Sequence, residues 1–163
     1  MLLVRIRDGI TDHFPARKSE WALAGMLAAI GVVLWLPGQT FDNSKAYLGL
    51  ARIATESHWA IGCFWVGFIR LVALGVNGTF QNSPYGRISP HVRALLAFAS
   101  CLFWFTLALG LISASPPFEP GGVPLGVAIF PFLFFLDLAS ARHAAGEAKL
   151  IDVQKRAKNY GSP

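Results

Sequence analysis

The sequence predicts an all-α, polytopic integral membrane protein: four transmembrane helices in a bundle, with both termini cytoplasmic. Three observations lead there. Hydrophobic residues fill 54% of the 163 positions, more than a small soluble domain usually carries. They gather into four runs, each closed by polar residues, glycine or proline. The basic residues are shared unevenly between the intervening segments, and that bias sets membrane orientation. The chain reads as a single membrane domain, 1–163.

Residues 1–20 open it. Leu3, Ile6, Ile10 and Phe14 recur at helical spacing, with Arg5, Arg7, Asp8 and Asp12 elsewhere on the wheel. Two readings stand: a short amphipathic helix on the membrane surface, or a polar tail without fixed structure. Arg17, Lys18, Ser19 and Glu20 then mark a membrane boundary.

The first span is 21–36, with Trp21 and Trp35 at its ends in the manner of aromatic belts. Its small residues, Ala24, Gly25, Ala28 and Ala29, form a packing face, on which Gly25 and Ala29 are the candidate contacts. A cleaved signal peptide is the rival. The acidic residues before the run and the lack of an A-x-A site after it argue against that. The segment 39–57 is mixed, and 47–54 has the composition of a short interfacial turn of helix.

The second span, 58–76, carries Arg70. An arginine at a helix centre costs roughly 2.5–3.5 kcal/mol and usually faces protein. The helical neighbours of Arg70 include Cys63, Val66, Gly67, Ala73, Leu74 and Asn77, mostly small or weakly polar. Ile61, Phe64, Phe68 and Leu71 lie on the other side. Small residues allow close helix contact, so Arg70 is expected to point at a neighbouring helix, with Cys63 and Gly67 in the contact. Snorkelling to the nearer interface is the alternative.

Residues 79–93 read as a polar loop, closed by Arg93 on the cytoplasmic side. The third span is 94–113, with Ala97, Cys101, Trp104 and Ala108 on one face. The connection 115–122 is short and free of basic residues. The fourth span is 123–140. Gly122 and Gly126 form a G-x-x-x-G pair suited to ordinary packing, and Pro131 removes a backbone donor and should kink the helix. The tail, 141–163, is helical in composition. With Arg93, its residues Arg142, Lys149, Lys155, Arg156 and Lys158 make a cytoplasmic basic face suited to anionic headgroups.

Eleven Lys and Arg flank the spans on one side, against Lys45 and Arg52 on the other. That bias places both termini in the cytoplasm. Spans two and four then run the same way, with Arg70 and Asp137 at levels about 5 Å apart. The two are expected to form an intramembrane charge pair.

The chemistry of catalysis is missing. His13, His58, His91 and His143 form no H-E-x-x-H site, and Cys63 and Cys101 have no metal-ligand spacing. There is no phosphate loop, nucleophile elbow or carboxylate cluster. The expectation is no enzyme, no cofactor, no metal and no nucleic acid. The bilayer and its anionic headgroups are the expected partners, with a homo-oligomer open.

Five stretches, RKSEW at 17–21, RLVALGVNGT at 70–79, SPHVRALLAF at 89–98, FWF at 103–105 and FPFLFFLD at 130–137, touch all four spans in order. By these the chain resembles a group of small four-span membrane proteins of tailed phages and prophages. The resemblance implies a bacterial inner membrane and a shared framework containing Arg70, Asn77, Gly78, Arg93 and Asp137. It carries no activity or catalytic residue. A phage setting points to the holins, which self-associate to permeabilise the membrane. Small-residue faces and a basic tail fit that class, and four spans fit it poorly. The alternatives are a non-enzymatic module that binds a host or phage partner through its cytoplasmic face, and a small channel or transporter subunit.

Overall fold

The computed structural model describes residues 17–79, 84–114 and 124–160, with side chains described except at 77–79, 84–90, 155 and 158–160. The amphipathic segment 1–16, Gly122, and the side chains of Asn77, Lys155 and Lys158 therefore lie outside the described residues. Everything described is helix, turn or irregular connection.

Four helices are long and apolar enough to cross a membrane. They are α1 (Lys18–Trp35), α2 (Glu56–Thr79), α3 (Pro84–Ala114) and α4 (Gly126–Tyr160). Helix α1 packs most extensively on α2, and α3 on α4. Helix α2 also packs on α3, and α1 returns to α4. Leu23, Leu27, Trp59, Cys63, Trp104, Leu107, Leu111 and Leu133 form a common core. Large apolar side chains such as Trp65, Phe68, Leu95, Phe98, Phe132 and Phe135 point outward, as a lipid-facing surface requires.

Two boundaries differ from the sequence reading. The expected polar loop ending at Arg93 is helical from Pro84 onward. Proline suits the first helical position, where its missing N–H would have no partner anyway. The fourth span and the tail are also one helix, which continues past Pro131 and Ser140 to Tyr160. At 1.5 Å per residue α3 and α4 measure roughly 46 and 52 Å, against about 30 Å of hydrocarbon. The excess is held at the ends of α3 and α4 where the two helices still touch: His91 Nε2 lies 3.6 Å from Asp152 Oδ1.

The close approach of α1 and α2 also differs in phase. A Cβ on Gly67 would strike the backbone of Ala28 and Ala24, and one on Gly31 the backbone of Phe64 and Ala60. The contact therefore runs along 24, 28 and 31. Gly25 has open space around it, and Ala29 is exposed, because each sits about 100° further round the helix. The packing roles expected of these two are withdrawn, and Gly31 takes their place. Gly126 does lie in a contact, where a Cβ would meet Leu111.

The connection between α1 and α2 is folded rather than loose. It holds the short helices Thr40–Asn43 and Leu48–Ala51 with a 3-10 turn, Lys45–Tyr47, between them. Glu56, at the start of α2, accepts from the backbone N–H of Thr40 (2.9 Å) and Phe41 (3.1 Å). Trp59 Nε1 donates to the Leu50 carbonyl at 3.2 Å. Gly49 lies directly against the Gly110 carbonyl of α3, which ties this connection to the third span.

Candidate intramembrane charge site

Arg70 and Asp137 meet in the interior of the described helices, 1% and 0% exposed. Arg70 Nη1 donates to Asp137 Oδ2 at 2.8 Å. Nη2 stands 2.6 Å from Oδ1, but the angle is not that of a hydrogen bond. That second contact is therefore held by charge alone. Trp104 Nε1 also donates to Oδ2, at 3.1 Å. Three helices thus converge on one carboxylate: α2 through Arg70, α3 through Trp104 and α4 through Asp137.

Local sequence explains the convergence. Ala97, Cys101, Trp104 and Ala108 recur at helical spacing and are all buried. The indole N–H of Trp104 would be costly to bury without an acceptor, and Asp137 supplies one. On α2, Ala60, Cys63, Gly67 and Leu74 are buried beside Arg70. Removing two charges from water costs several kcal/mol per ion. The paired geometry and the added indole donor offset part of that cost. Ser100 Oγ is also fully buried, with no hydrogen-bond partner among the described residues.

A second charge cluster joins the start of α1 to α3 and α4. Arg93 grips Glu20 twice, through Nη2 to Oε1 (2.7 Å) and Nε to Oε2 (3.2 Å). Its Nη1 reaches Glu147 Oε2 at 2.8 Å, and Arg17 Nη2 lies 3.5 Å from the same oxygen. Burial holds the Arg17 guanidinium below its ordinary pKa, and the like charge of Arg93 adds to this. Glu147 and Glu20 act in the opposite sense.

Arg93 is only 2% exposed, so its assignment to an exposed cytoplasmic basic face is corrected. Its guanidinium is used up by two carboxylates. The cluster escaped sequence reading because Glu20 looks like a boundary residue. The available signal was the presence of Glu20 and Glu147 in flanks that are otherwise basic. Of the remaining basic-face residues, Arg142, Lys149 and Arg156 are exposed.

The arrangement can bind helices together. Asp137 is enclosed by a guanidinium and an indole. Cys63 and Cys101 are free thiols buried in the core. Among the described residues no group of three His, Cys, Asp or Glu side chains is placed to hold a metal ion. Compared with family models, curated proteins and solved structures, the chain matches none of them.

Proposed function

We propose that the chain is a non-enzymatic membrane module, a four-helix bundle in a bacterial inner membrane with both termini cytoplasmic. In this reading it recruits an acidic partner through the basic stripe of α4. One observation carries the reading. The charges at membrane level are spent on each other, Arg70 on Asp137 and Arg93 on Glu20 and Glu147. Arg142, Lys149 and Arg156 remain exposed, seven residues apart and so nearly on one line of the helix.

Distance separates a protein partner from lipid. With Gly126 at the outer edge of the hydrocarbon and α4 near the membrane normal, about 20 residues reach the inner edge. Arg142 then lies about 5 Å short of that edge, within snorkelling reach of the interface, whereas Arg156 stands roughly 16 Å beyond it. A headgroup layer is only about 5–7 Å thick, and charges are screened over about 8 Å. The outer end of the stripe is therefore out of reach of lipid.

The test is a photo-crosslinking residue at 149 or 156 in the intact chain in cell membranes. A specific cytoplasmic adduct is expected, lost in the triple variant Arg142→Glu, Lys149→Glu, Arg156→Glu while insertion persists. No adduct at either position would overturn the reading.

A holin-like pore is the second reading. It draws on the incompletely bonded polar atoms of α2, α3 and α4, namely Arg70 Nη2, Ser100 Oγ and Asp137 Oδ1. A self-associated assembly would turn these to a lumen. An abrupt collapse of membrane potential on induction supports it, and a steady potential with the protein inserted removes it.

A further inference from the structure

The end of the bundle opposite Arg93 holds a cavity of about 500 Å³, within the usual range for a small-ligand site. The end of α1, the start of α2 and the connection between them wall it. One side is apolar, with Leu34, Trp35 and Leu36. The other is polar and acidic, with Asp42, Glu56 and Ser57. Lys45 and Arg52, the basic residues of the connection, do not line it.

Its height in the bilayer follows from helix length. Helix α1 has 18 residues, roughly 27 Å, against about 30 Å of hydrocarbon. With Lys18 at one edge, Trp35 falls at the other. Glu56 stands at that level too, because its carboxylate accepts from the N–H groups of Thr40 and Phe41 just past the end of α1. The cavity therefore straddles the hydrocarbon edge. Trp35 and Leu36, 67% and 59% exposed, meet the acyl region, and the two carboxylates meet the headgroups. An occupant at this height is apolar at one end and polar at the other, as a lipid is.

The lining also sets the charge of the polar end. The N–H groups of Thr40 and Phe41 would attract an anion, but Glu56 already fills that place. Asp42 is exposed, and its carboxylate has no ion-pair partner among the described residues. The ring of Trp35 adds a surface that attracts cations. A divalent metal is poorly served, since among the described residues no three His, Cys, Asp or Glu side chains are grouped to hold one. A primary ammonium fits better. Its three N–H donors can use the Asp42 carboxylate, the spare lone pairs of Glu56 and the Ser57 hydroxyl. A quaternary ammonium would leave those acceptors unused and wants a cage of rings, whereas the second ring of the lining, Phe41, is only 6% exposed.

We propose that this cavity binds a phospholipid whose headgroup ends in a primary ammonium, with the ammonium at Asp42 and Glu56 and the acyl chain against Trp35 and Leu36. The site shares no residue with the basic stripe of α4, so it stands or falls independently of the cytoplasmic reading.

The test uses the full chain in nanodiscs of phosphatidylglycerol, doped with a phosphatidylethanolamine that carries a photoreactive diazirine in one acyl chain. A phosphatidylglycerol with the same acyl chains is the comparison probe, and adducts are mapped by mass spectrometry. The ethanolamine lipid should mark residues 34–36 about fivefold more than the glycerol lipid, the effect of one ion pair and one cation–π contact at a partly exposed site. Asp42→Asn should abolish that preference and Asp42→Glu should keep it. Asp42 is exposed, so neither change touches the core, and protection of Cys63 and Cys101 from maleimide reports that both variants are folded. Three results would overturn the proposal. One is equal marking by both lipids, which makes the contact ordinary bilayer packing. Another is a preference that survives Asp42→Asn. The third is marking lost in excess free ethanolamine, which makes a soluble amine the occupant.

Discussion

Replacing Asp137 by Asn keeps the shape of the side chain and an acceptor for Trp104, and removes only the charge. Arg70 is then left 1% exposed, with its cation uncompensated. Breaking a buried pair from one side costs about 3–5 kcal/mol. Whole domains are stable by about 5–15 kcal/mol, so the loss is a large fraction, worth roughly 10 °C in Tm for a chain of this size. The double variant Arg70→Met, Asp137→Leu removes both charges and fills the space. It should return to within about 1–2 kcal/mol of wild type, because hydrophobic replacements of buried pairs are often neutral or better. Trp104→Phe should cost less than Asp137→Asn, since Asp137 keeps Arg70 and one neutral donor is worth about 1 kcal/mol. The chain carries its own probe. Cys63 and Cys101 are buried, so their maleimide labelling in detergent against temperature or denaturant reports opening of the core. A coupling of about 2 kcal/mol or more between positions 70 and 137 in the mutant cycle is expected. An Asp137→Asn variant within about 1 kcal/mol of wild type, or a double variant as damaged as the sum of its singles, would refute the reasoning.

Three further outcomes follow from packing and charge. Gly67→Val and Gly31→Val drive a side chain into the backbone of the facing helix and should cost about 1–3 kcal/mol or more. Gly25→Ala meets open space and should be neutral or stabilising by up to about 1 kcal/mol; thermal unfolding in detergent separates the two classes. In the second cluster, Glu20→Gln should destabilise more than Glu147→Gln. Glu20 is gripped twice and its side chain is 11% exposed, whereas that of Glu147 is 41% exposed and its share falls to about 1 kcal/mol or less. Glu56→Gln keeps one acceptor but loses the charge that holds the N–H groups of Thr40 and Phe41. It should loosen the connection by about 1 kcal/mol, read as faster proteolysis between residues 38 and 44 with Cys63 still protected.

The parts of this fold legible in the sequence are those set by hydropathy. Four apolar runs become four long helices, because the backbone of an apolar segment has few other ways to satisfy its polar groups in lipid. The face of α3 through Ala97, Cys101 and Trp104 is readable for the same reason: a 3.6-residue period repeats along it. What could not be read depends on which helix stands beside which. Gly25 and Gly31 are equally small, and only the position of α2 makes Gly31 the contact. Arg93 and Arg142 are equally basic. Only the arrival of Glu20 from α1 and Glu147 from α4 turns Arg93 inward. The lengths of α3 and α4 were hidden by polarity, since their ends leave the hydrocarbon and lose the apolar signal while remaining helical.

The two charge clusters divide the work of assembly. Hydrophobic burial cannot choose between helices inside lipid, because tails are as apolar as leucine. Small residues settle one contact by letting α1 approach α2 closely. They do not specify how the α1–α2 pair meets α3 and α4. Arg70 and Arg93 do: each extends to carboxylates on other helices, one at mid-depth and one at the end of α1. With the contact of Gly49 on Gly110, these two fixed points at different heights set both the register and the rotation of one helix pair against the other. Removing either cluster alone should therefore leave four inserted helices with looser packing. Removing both should allow the α1–α2 and α3–α4 pairs to separate in detergent, seen as crosslinks retained within each pair and lost between them.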